Sequence, residues 1–336
     1  MNPLRIGVVG LGFGQLHVYT LANMHDVRIT ALADKQGNVP GGMDAFAARY
    51  GAKAYASAEE MIEREELDAI SICTSPRYRE EVIRAAAAKG IPMFVEKPWA
   101  ANLEHARHLA NLCRELSAKV MMGFSFRFHP VVTNLRQLMD SDLGEGWILS
   151  GEYIFSWVPP DEHWLWQPDN GNGFFNENSC HLIDVVCYLM GEPLTVSAEG
   201  INPLRKPSET GAVVNLTFEG GRVASLMIGC LGTTAVNQYP RIHLITQNGQ
   251  AQLLGREHYW ETLLWNKRGD TAVHQKTIPP ESLQSMRYTH AFQHFFDCIR
   301  SGKQPCSTIE DGVRAVALAD AIYRSIRTGQ KVPVQR

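Results

Sequence analysis

The chain has 336 residues, of which 45% are hydrophobic and 20% charged, and its 32 Lys and Arg against 35 Asp and Glu leave a net charge of −3. At about 150 residues per domain this length predicts two domains, with enough apolar material for a sizeable core rather than a disordered chain. The lack of a basic excess argues against nucleic acid gripped through its phosphates, and no apolar run approaches the about 20 residues that a membrane span needs.

Ile6–Val9 reads as a strand, too short and too glycine-bound for the apolar stretch of a signal peptide. Residues 14–24 follow as a helix and Val27–Ala33 as a second strand. Asp44–Tyr50 and Ala58–Arg64 carry helical patterns, Ala69–Cys73 is a third strand and Arg77–Lys89 an alanine-rich helix. Ile91–Val95, Leu103–Leu116 and Lys119–Met122 complete the series as strand, helix and strand. Strands alternating with helices of this length predict βαβ units and a doubly wound parallel sheet with right-handed crossovers.

The pattern changes at residues 120–125, where the domain boundary is expected. Val131–Met139 reads as a helix, and strands dominate after it: Trp147–Trp157, Thr195–Gly200, Ala212–Phe218, Val223–Cys230, Arg241–Thr246, Gln250–Leu254 and Glu261–Trp265. Glu219-Gly220-Gly221 and Gln247-Asn248-Gly249 are hairpin turn signals. His181–Met190 is a helix within this region, and Tyr288–Ser301 and Ile309–Thr328 close the chain, the last with Ser307 as its expected N-cap. Seven cysteines (73, 113, 180, 187, 230, 298 and 306) are odd in number and contain no C-x-x-C pair, which predicts reduced thiols, a cytoplasmic setting and no metal site.

Three turns carry chemistry. Gly10-Leu11-Gly12-Phe13-Gly14-Gln15 joins the first strand to the first helix, where glycines let backbone N–H groups approach a pyrophosphate at a helix N-terminus. It departs from G-x-G-x-x-G: the third glycine comes one residue early and Gln15 fills the sixth position. Asp34 closes the second strand where a carboxylate bonds a ribose 2′-OH and repels a 2′-phosphate, so NAD is expected over NADP; the neighbouring Lys35 keeps NADP open. Cys73-Thr74-Ser75-Pro76 and Glu96-Lys97-Pro98 end the third and fourth strands and point to the same crevice. Thr74, Ser75, Pro76, Glu96 and Lys97 therefore join the cofactor-binding candidates. A desolvated Lys97 suits proton transfer, while a salt-bridged surface lysine is the plainer alternative.

These motifs, with Gly123-Phe124-Ser125-Phe126-Arg127-Phe128-His129-Pro130 and the stretch from Gly171 to Asp184, resemble the Gfo/Idh/MocA oxidoreductases, the glucose–fructose oxidoreductase and inositol dehydrogenase family. The run Phe292 to Val332 is also similar, so the resemblance covers nearly the whole chain. It implies an NAD(P)-binding Rossmann domain over residues 1–122. Residues 123–336 would form an open, mostly antiparallel sheet with helices on one face, serving substrate binding and oligomerisation. It further implies an active site between the domains, a nicotinamide cofactor and a homodimer or homotetramer built on the second sheet. By motif position Lys97 matches the family's catalytic lysine and His181 its catalytic histidine, and Glu177 stands where many members have Asp.

Glu177 and His181 are four residues apart, so on one helix they would share a face and the carboxylate would orient the imidazole. Outside this context His181 reads as a packed helix histidine. The segment Trp157–Trp166, with Trp164 and Trp166, offers aromatic faces suited to a sugar or cyclitol ring, or is a packed loop. Arg127 either binds substrate or pairs with Glu96, and Asn178 completes the substrate candidates with Lys97 and His181. The expected activity is hydride transfer between nicotinamide and a secondary hydroxyl of a sugar, sugar derivative or cyclitol. Lys97, His181 and Glu177 would be the catalytic groups. An NAD-dependent glycoside hydrolase and a non-catalytic dinucleotide-binding regulator share the fold and stand as alternatives.

Overall fold

The computed structural model describes residues 2–37, 39–233, 240–256, 259–279 and 283–335. The chain divides into two compact units, Met1–Gly123 with Tyr288–Val313, and Phe124–Arg287 with Arg314–Arg336.

In the first unit, strands β1 (Leu4–Val9), β2 (Val27–Ala33), β3 (Lys53–Tyr55), β4 (Ala69–Ile72), β5 (Met93–Val95) and β6 (Val120–Met122) pair in the order β3-β2-β1-β4-β5-β6. Every pair is parallel. Helices α1 (Gly14–Ala22), α2 (Met43–Ala48), α3 (Ala58–Arg64), α4 (Arg79–Ala88) and α5 (Leu103–Glu115) make the crossovers. A parallel sheet covered on both faces needs apolar runs, and β4 and β5 are buried at every position. Strand order reverses between β1 and β4, so the crevice for ligands lies at their carboxyl ends, where Gly10 and Cys73 follow.

Tyr288–Val313 joins this unit, whereas the sequence expectation gave 123–336 wholly to the second domain. The Phe292 ring lies 4.6 Å from that of Phe94, and the Met122 N–H donates to the Ser307 carbonyl at 3.0 Å. A distant segment thus fills the apolar face beside β5 and β6, which spacing along the chain does not reveal.

In the second unit, β7 (Gly146–Ile154), β8 (Pro193–Ile201), β9 (Gly211–Phe218), β10 (Val223–Gly229), β11 (Arg241–Thr246), β12 (Gly249–Arg256), β13 (Tyr259–Lys267), β14 (His274–Thr277) and β15 (Val332–Pro333) form one sheet. Their order is β14-β13-β12-β11-β7-β10-β9-β8-β15, with β7 and β10 parallel and the other pairs antiparallel. Burial alternates along β9 and β10, so one face is packed and the other exposed. Helices α6 (Pro130–Leu138), α7 (Phe174–Glu177) and α8 (Cys180–Met190) belong to this unit, and Leu182 of α8 packs on Gly151 of β7. Both hairpin signals carry tight turns, between β9 and β10 and between β11 and β12.

Two long helices remain, α9 (Leu283–Ser301) and α10 (Ile309–Thr328). The cap of α10 is Thr308 rather than Ser307. Thr308 Oγ1 accepts the Asp311 N–H at 3.4 Å, and Asp311 accepts the Thr308 N–H at 2.7 Å, a reciprocal capping box. Ser307 is buried instead, its carbonyl spent on Met122. Among the described residues no helix is long and apolar enough to cross a membrane.

Candidate functional site

The first unit builds a glycine turn at the carboxyl end of β1. Gly10 has φ +82°, and a Cβ there would sit 2.9 Å from the Cys73 carbonyl carbon and the Thr74 nitrogen, so only glycine fits. Gly12 faces open space. Gly14 does the close-packing work of the displaced third glycine, because a Cβ there would lie 3.3 Å from Cys73 Cβ. Gln15 folds back, donating from Nε2 to the Leu11 carbonyl at 2.9 Å. Phe13 is exposed and provides no side-chain cap, which leaves the first N–H groups of α1 without a side-chain acceptor.

Asp34 is tied to this turn. Oδ2 accepts the Leu11 N–H at 2.6 Å, and Oδ1 accepts the N–H groups of Gln36 and Gly37, each at 2.8 Å. The neighbouring Lys35 is exposed, its Nζ 5.8 Å from the centre of the Tyr78 ring. Thr74 Oγ1 is buried and makes no hydrogen bond among the described residues. Ser75 and the buried Pro76 open a short 3-10 turn, Pro76–Tyr78. A cradle that a Cβ would fill, an orphan hydroxyl, an uncapped helix start and an anchored carboxylate together fit a dinucleotide.

Arg79, which sequence reasoning missed, is fully buried and binds carbonyls of the segments that follow β4 and β5. Its guanidinium donates to Thr74 at 2.9 and 3.2 Å, to Trp99 at 3.1 Å, to Lys97 at 3.5 Å and to Pro98. The chain through Lys97 is also held by Glu96, whose Oε2 accepts the Lys97 N–H at 3.1 Å. Glu96 Oε1 lies 3.1 Å from Nε2 of the buried His17. Burial raises the Glu96 carboxyl, but His17, Lys97 and Arg79 outweigh it and keep it below the usual carboxylate range. Burial likewise opposes charge on His17, while Cys73 and Glu96 raise its imidazole to about 10. The Lys97 side chain is half-buried.

The second unit gathers the remaining candidates. Gly171 and Gly173 are dictated by packing: a Cβ on Gly171 would sit 2.2 Å from Leu165 Cα, and one on Gly173 (φ +93°) 2.1 Å from the Tyr323 hydroxyl. That hydroxyl accepts the Phe175 N–H at 3.1 Å and anchors α7. Glu177 ends α7 and His181 lies in the first turn of α8, with Asn178 and Ser179 between them. One helix carrying both residues was expected; instead the His181 N–H turns to the Asn178 carbonyl at 3.3 Å, which breaks the i, i+4 pattern. The Glu177 charge is felt by His163, whose imidazole burial keeps below its ordinary value.

His181 is buried and stacks on Phe126, with 4.6 Å between ring centres and 22° between planes. Trp260 and Tyr153 meet the Phe126 ring edge-on at 5.0 and 5.9 Å, and the Arg287 guanidinium lies 4.4 Å from its centre. Asn178 Oδ1, Ser179 Oγ, Ser125 Oγ and Trp260 Nε1 are buried and make no hydrogen bond among the described residues. Buried polar atoms left this way are met by ordered water or by a polar ligand. Phe126 was inside a recognised motif without a role, and Trp260 gave no signal.

Arg127 pairs with Asp184, not Glu96. Its Nε and one terminal nitrogen donate to the Asp184 carboxylate at 2.7 and 2.5 Å, both residues are buried, and the guanidinium lies over Tyr188 at 5.0 Å. Glu96 is already taken by His17, and a bidentate carboxylate suits the guanidinium better. Burial holds Asp184 above the ordinary carboxylate range even so. Trp166 is buried and donates its indole N–H to the Pro160 carbonyl at 3.0 Å, which makes it loop packing, while Trp164 is half-buried against His163.

Family models decide what this arrangement belongs to. One described as oxidoreductase family, NAD-binding Rossmann fold, matches residues 4–124, and one described as oxidoreductase family, C-terminal alpha/beta domain, matches residues 136–334. The chain belongs to the Gfo/Idh/MocA oxidoreductase family. Among its relatives, inositol 2-dehydrogenase of Rhizobium meliloti is 25% identical across 98% of this chain and 99% of its own. D-apiose dehydrogenase of Paraburkholderia graminis is 22% identical across 98% and 89%. Levoglucosan dehydrogenase, solved with NADH and L-sorbose, has the same fold, with a TM-score of 0.85 at 19% identity over 100% of both chains. Gfo/Idh/MocA membership makes the chain an oxidoreductase with an NAD-binding Rossmann domain.

Proposed function

We propose that the protein oxidises a secondary hydroxyl of a sugar, sugar derivative or cyclitol with NAD⁺, or runs the reverse reduction, as an alcohol dehydrogenase of the 1.1.1 class. The observation that carries the cofactor half is the Gly10–Gly14 turn with Asp34 bonded to it. The substrate half rests on the relatives named for inositol and D-apiose and on the buried polar atoms of Asn178, Ser179, Ser125 and Trp260.

When bound, the nicotinamide supplies the hydride acceptor. The protein's part is to move the hydroxyl proton and carry the developing charge. His181 takes the proton, its ring plane set by Phe126. Lys97 hydrogen-bonds the developing alkoxide, its backbone fixed by Glu96 and Arg79. Glu177 supplies negative charge on the separate turn before α8. Asn178 and Trp164 line the substrate side, while Arg127 supports α8 through Asp184. The protein works in a reducing, cytoplasmic compartment, a reading supported by seven cysteines all present as free thiols. It assembles as a homodimer or homotetramer through the exposed face of the second sheet.

The deciding experiment is a panel of sugars and cyclitols with NAD⁺ and NADP⁺, read by nicotinamide absorbance. Reduction of NAD⁺ by one or more members is expected, with at least about 100-fold loss of kcat in Lys97→Ala and in His181→Ala. Sugar release from an aryl glycoside without net nicotinamide reduction would replace this reading with the hydrolase.

A further inference from the structure

Behind the glycine turn lies a chain of side chains that hydride transfer does not use. Cys73 Sγ is 3.2 Å from Nδ1 of His17, Ser71 Oγ is 2.7 Å from the same nitrogen, and Nε2 of His17 is 3.1 Å from Glu96 Oε1. His17 and Glu96 are buried, while Cys73 is partly exposed. Thiol, imidazole and carboxylate in this order form the arrangement that activates a cysteine nucleophile. The thiol also lies beside the cofactor turn: a Cβ on Gly14 would lie 3.4 Å from Cys73 Sγ, and one on Gly10 would lie 2.9 Å from the Cys73 carbonyl carbon.

The other cysteines lack this combination. Cys113, Cys180, Cys187, Cys230 and Cys298 are buried, and burial pushes the thiols of Cys113 and Cys187 up to about 12 and that of Cys230 up to about 11. Cys298 also faces an imidazole, at 3.5 Å, but His294 Nε2 accepts the Cys306 N–H and burial raises the Cys298 thiol as well. Cys306 is exposed and serves as an internal standard for ordinary thiol reactivity.

We propose that Cys73 is a peroxide-reactive thiol whose oxidation closes the dinucleotide turn, with His17 and Glu96 as its proton relay. The sulfur attacks the distal oxygen of a hydroperoxide; an S–O bond forms and the O–O bond breaks. The sulfur gives its proton to water and becomes a sulfenic acid, the hydroperoxide is reduced to an alcohol or water, and the leaving oxygen is protonated by the Nδ1–H of the His17 imidazolium, which recovers a proton from water. His17 keeps its orientation throughout because Nε2 is held by Glu96. The added oxygen would lie against Gly14, where α1 packs closely on Cys73, and would displace the start of the helix whose N–H groups face the pyrophosphate. Closure rests on the dinucleotide reading of that turn; reactivity does not.

The test uses the full-length protein treated with hydrogen peroxide, trapped with a sulfenic-acid-specific dione and mapped by mass spectrometry, with NADH binding followed by fluorescence. Cys73 is expected to label at least tenfold faster than Cys306, bound NAD⁺ to protect it, NADH binding to weaken at least tenfold, and dithiothreitol to restore it. Cys73→Ser should show no change in its own NADH affinity on peroxide treatment. His17→Asn should slow labelling at Cys73 about tenfold and leave Cys306 unchanged; should that variant not fold, the labelling order in the wild type still decides. Labelling of Cys73 no faster than Cys306, or NADH binding unaltered after Cys73 is oxidised, overturns the proposal. Untreated protein that fails to bind NADH overturns the dinucleotide reading and closure with it, while the labelling order separately decides reactivity.

Discussion

The imidazole of His181 lies nearly parallel to the ring of Phe126, 4.6 Å away. Phe126 is itself fixed by edge contacts from Tyr153 and Trp260, so the orientation of the imidazole is set by aromatic packing. Phe126→Leu keeps the volume apolar but loses the flat face. Its kcat should fall about 10- to 100-fold, as expected for a misplaced catalytic group, with NADH affinity unchanged. Glu177→Gln should cost less than tenfold in kcat, because the amide keeps a hydrogen-bonding group at that position and loses only the charge. Steady-state kinetics with a saturating dinucleotide checks both, and equal losses would return the orienting role to Glu177.

Asp34 does two jobs, and two variants separate them. Its carboxylate accepts N–H groups from Leu11, Gln36 and Gly37, so Asp34→Ala should lower stability by about 1–3 kcal/mol by leaving donors without an acceptor. Asp34→Asn retains one carbonyl acceptor and should lose less. Both remove the charge that excludes a 2′-phosphate, so the ratio of NADP to NAD affinity should rise at least about tenfold, or 1.4 kcal/mol, in each. Calorimetric titration with both dinucleotides and thermal melts measure the two effects. A wild type that binds NADP as tightly as NAD would shift the weight to Lys35.

Much of this was legible because local signals and tertiary roles coincide. The first sheet follows from apolar runs between helices, and Gly10 and Asp34 fall where the chain must turn and where a carboxylate must cap. Lys53–Tyr55 escaped because three residues carry no periodicity, and Val332–Pro333 because two carry less. Arg127 was expected to bind substrate or pair with Glu96, and its pairing with Asp184, 57 residues along the chain, gave no local signal. His17 had already claimed Glu96 through a contact spanning 79 residues. Trp260 and Arg79 matter through what surrounds them, and a lone aromatic in a strand or an arginine opening a helix looks the same when it is only packing.

The pair His17 and Glu96 makes stability depend on pH in a defined direction. The folded imidazole is raised to about 10 from an ordinary 6.5, by Cys73 and Glu96 acting against burial. Its contribution is therefore complete below about pH 6.5 and is lost as pH rises toward 10. Glu96, facing His17, Lys97 and Arg79, is lowered from 4.5, so its contribution is complete above that value and is lost as pH falls through the folded one. Urea unfolding should show wild-type stability declining between pH 7 and 10, and His17→Gln should flatten that decline. Breaking the pair should cost about 3–5 kcal/mol at neutral pH, since a buried carboxylate is left without its cation. An unchanged slope in the variant would mean that His17 is neutral in the folded protein.

The exposed face of the second sheet carries the last prediction. Ile148, Ile201, Val213 and Met227 are 52, 58, 49 and 43% exposed and lie on the adjacent strands β7, β8, β9 and β10. Met227 is directly opposite Val213, with Glu152 as its neighbour on β7, where Glu152 pairs with Arg241 at 2.5 Å. Single exposed apolar residues are ordinary, but a cross-strand cluster on a broad sheet face is what a second copy would cover if this face is an interface. A copy of the same sheet packed face to face would bury the cluster and leave the ion pair at its rim. Sedimentation at micromolar concentration should give a dimer or tetramer, and the double variant Val213→Lys, Met227→Glu should lower the mass to that of a smaller species. Its NADH binding per subunit should be unchanged, because both positions lie outside the first unit. A wild type that sediments as a monomer would remove the interface, and a dissociated variant that also loses NADH binding would show that the dinucleotide site depends on assembly.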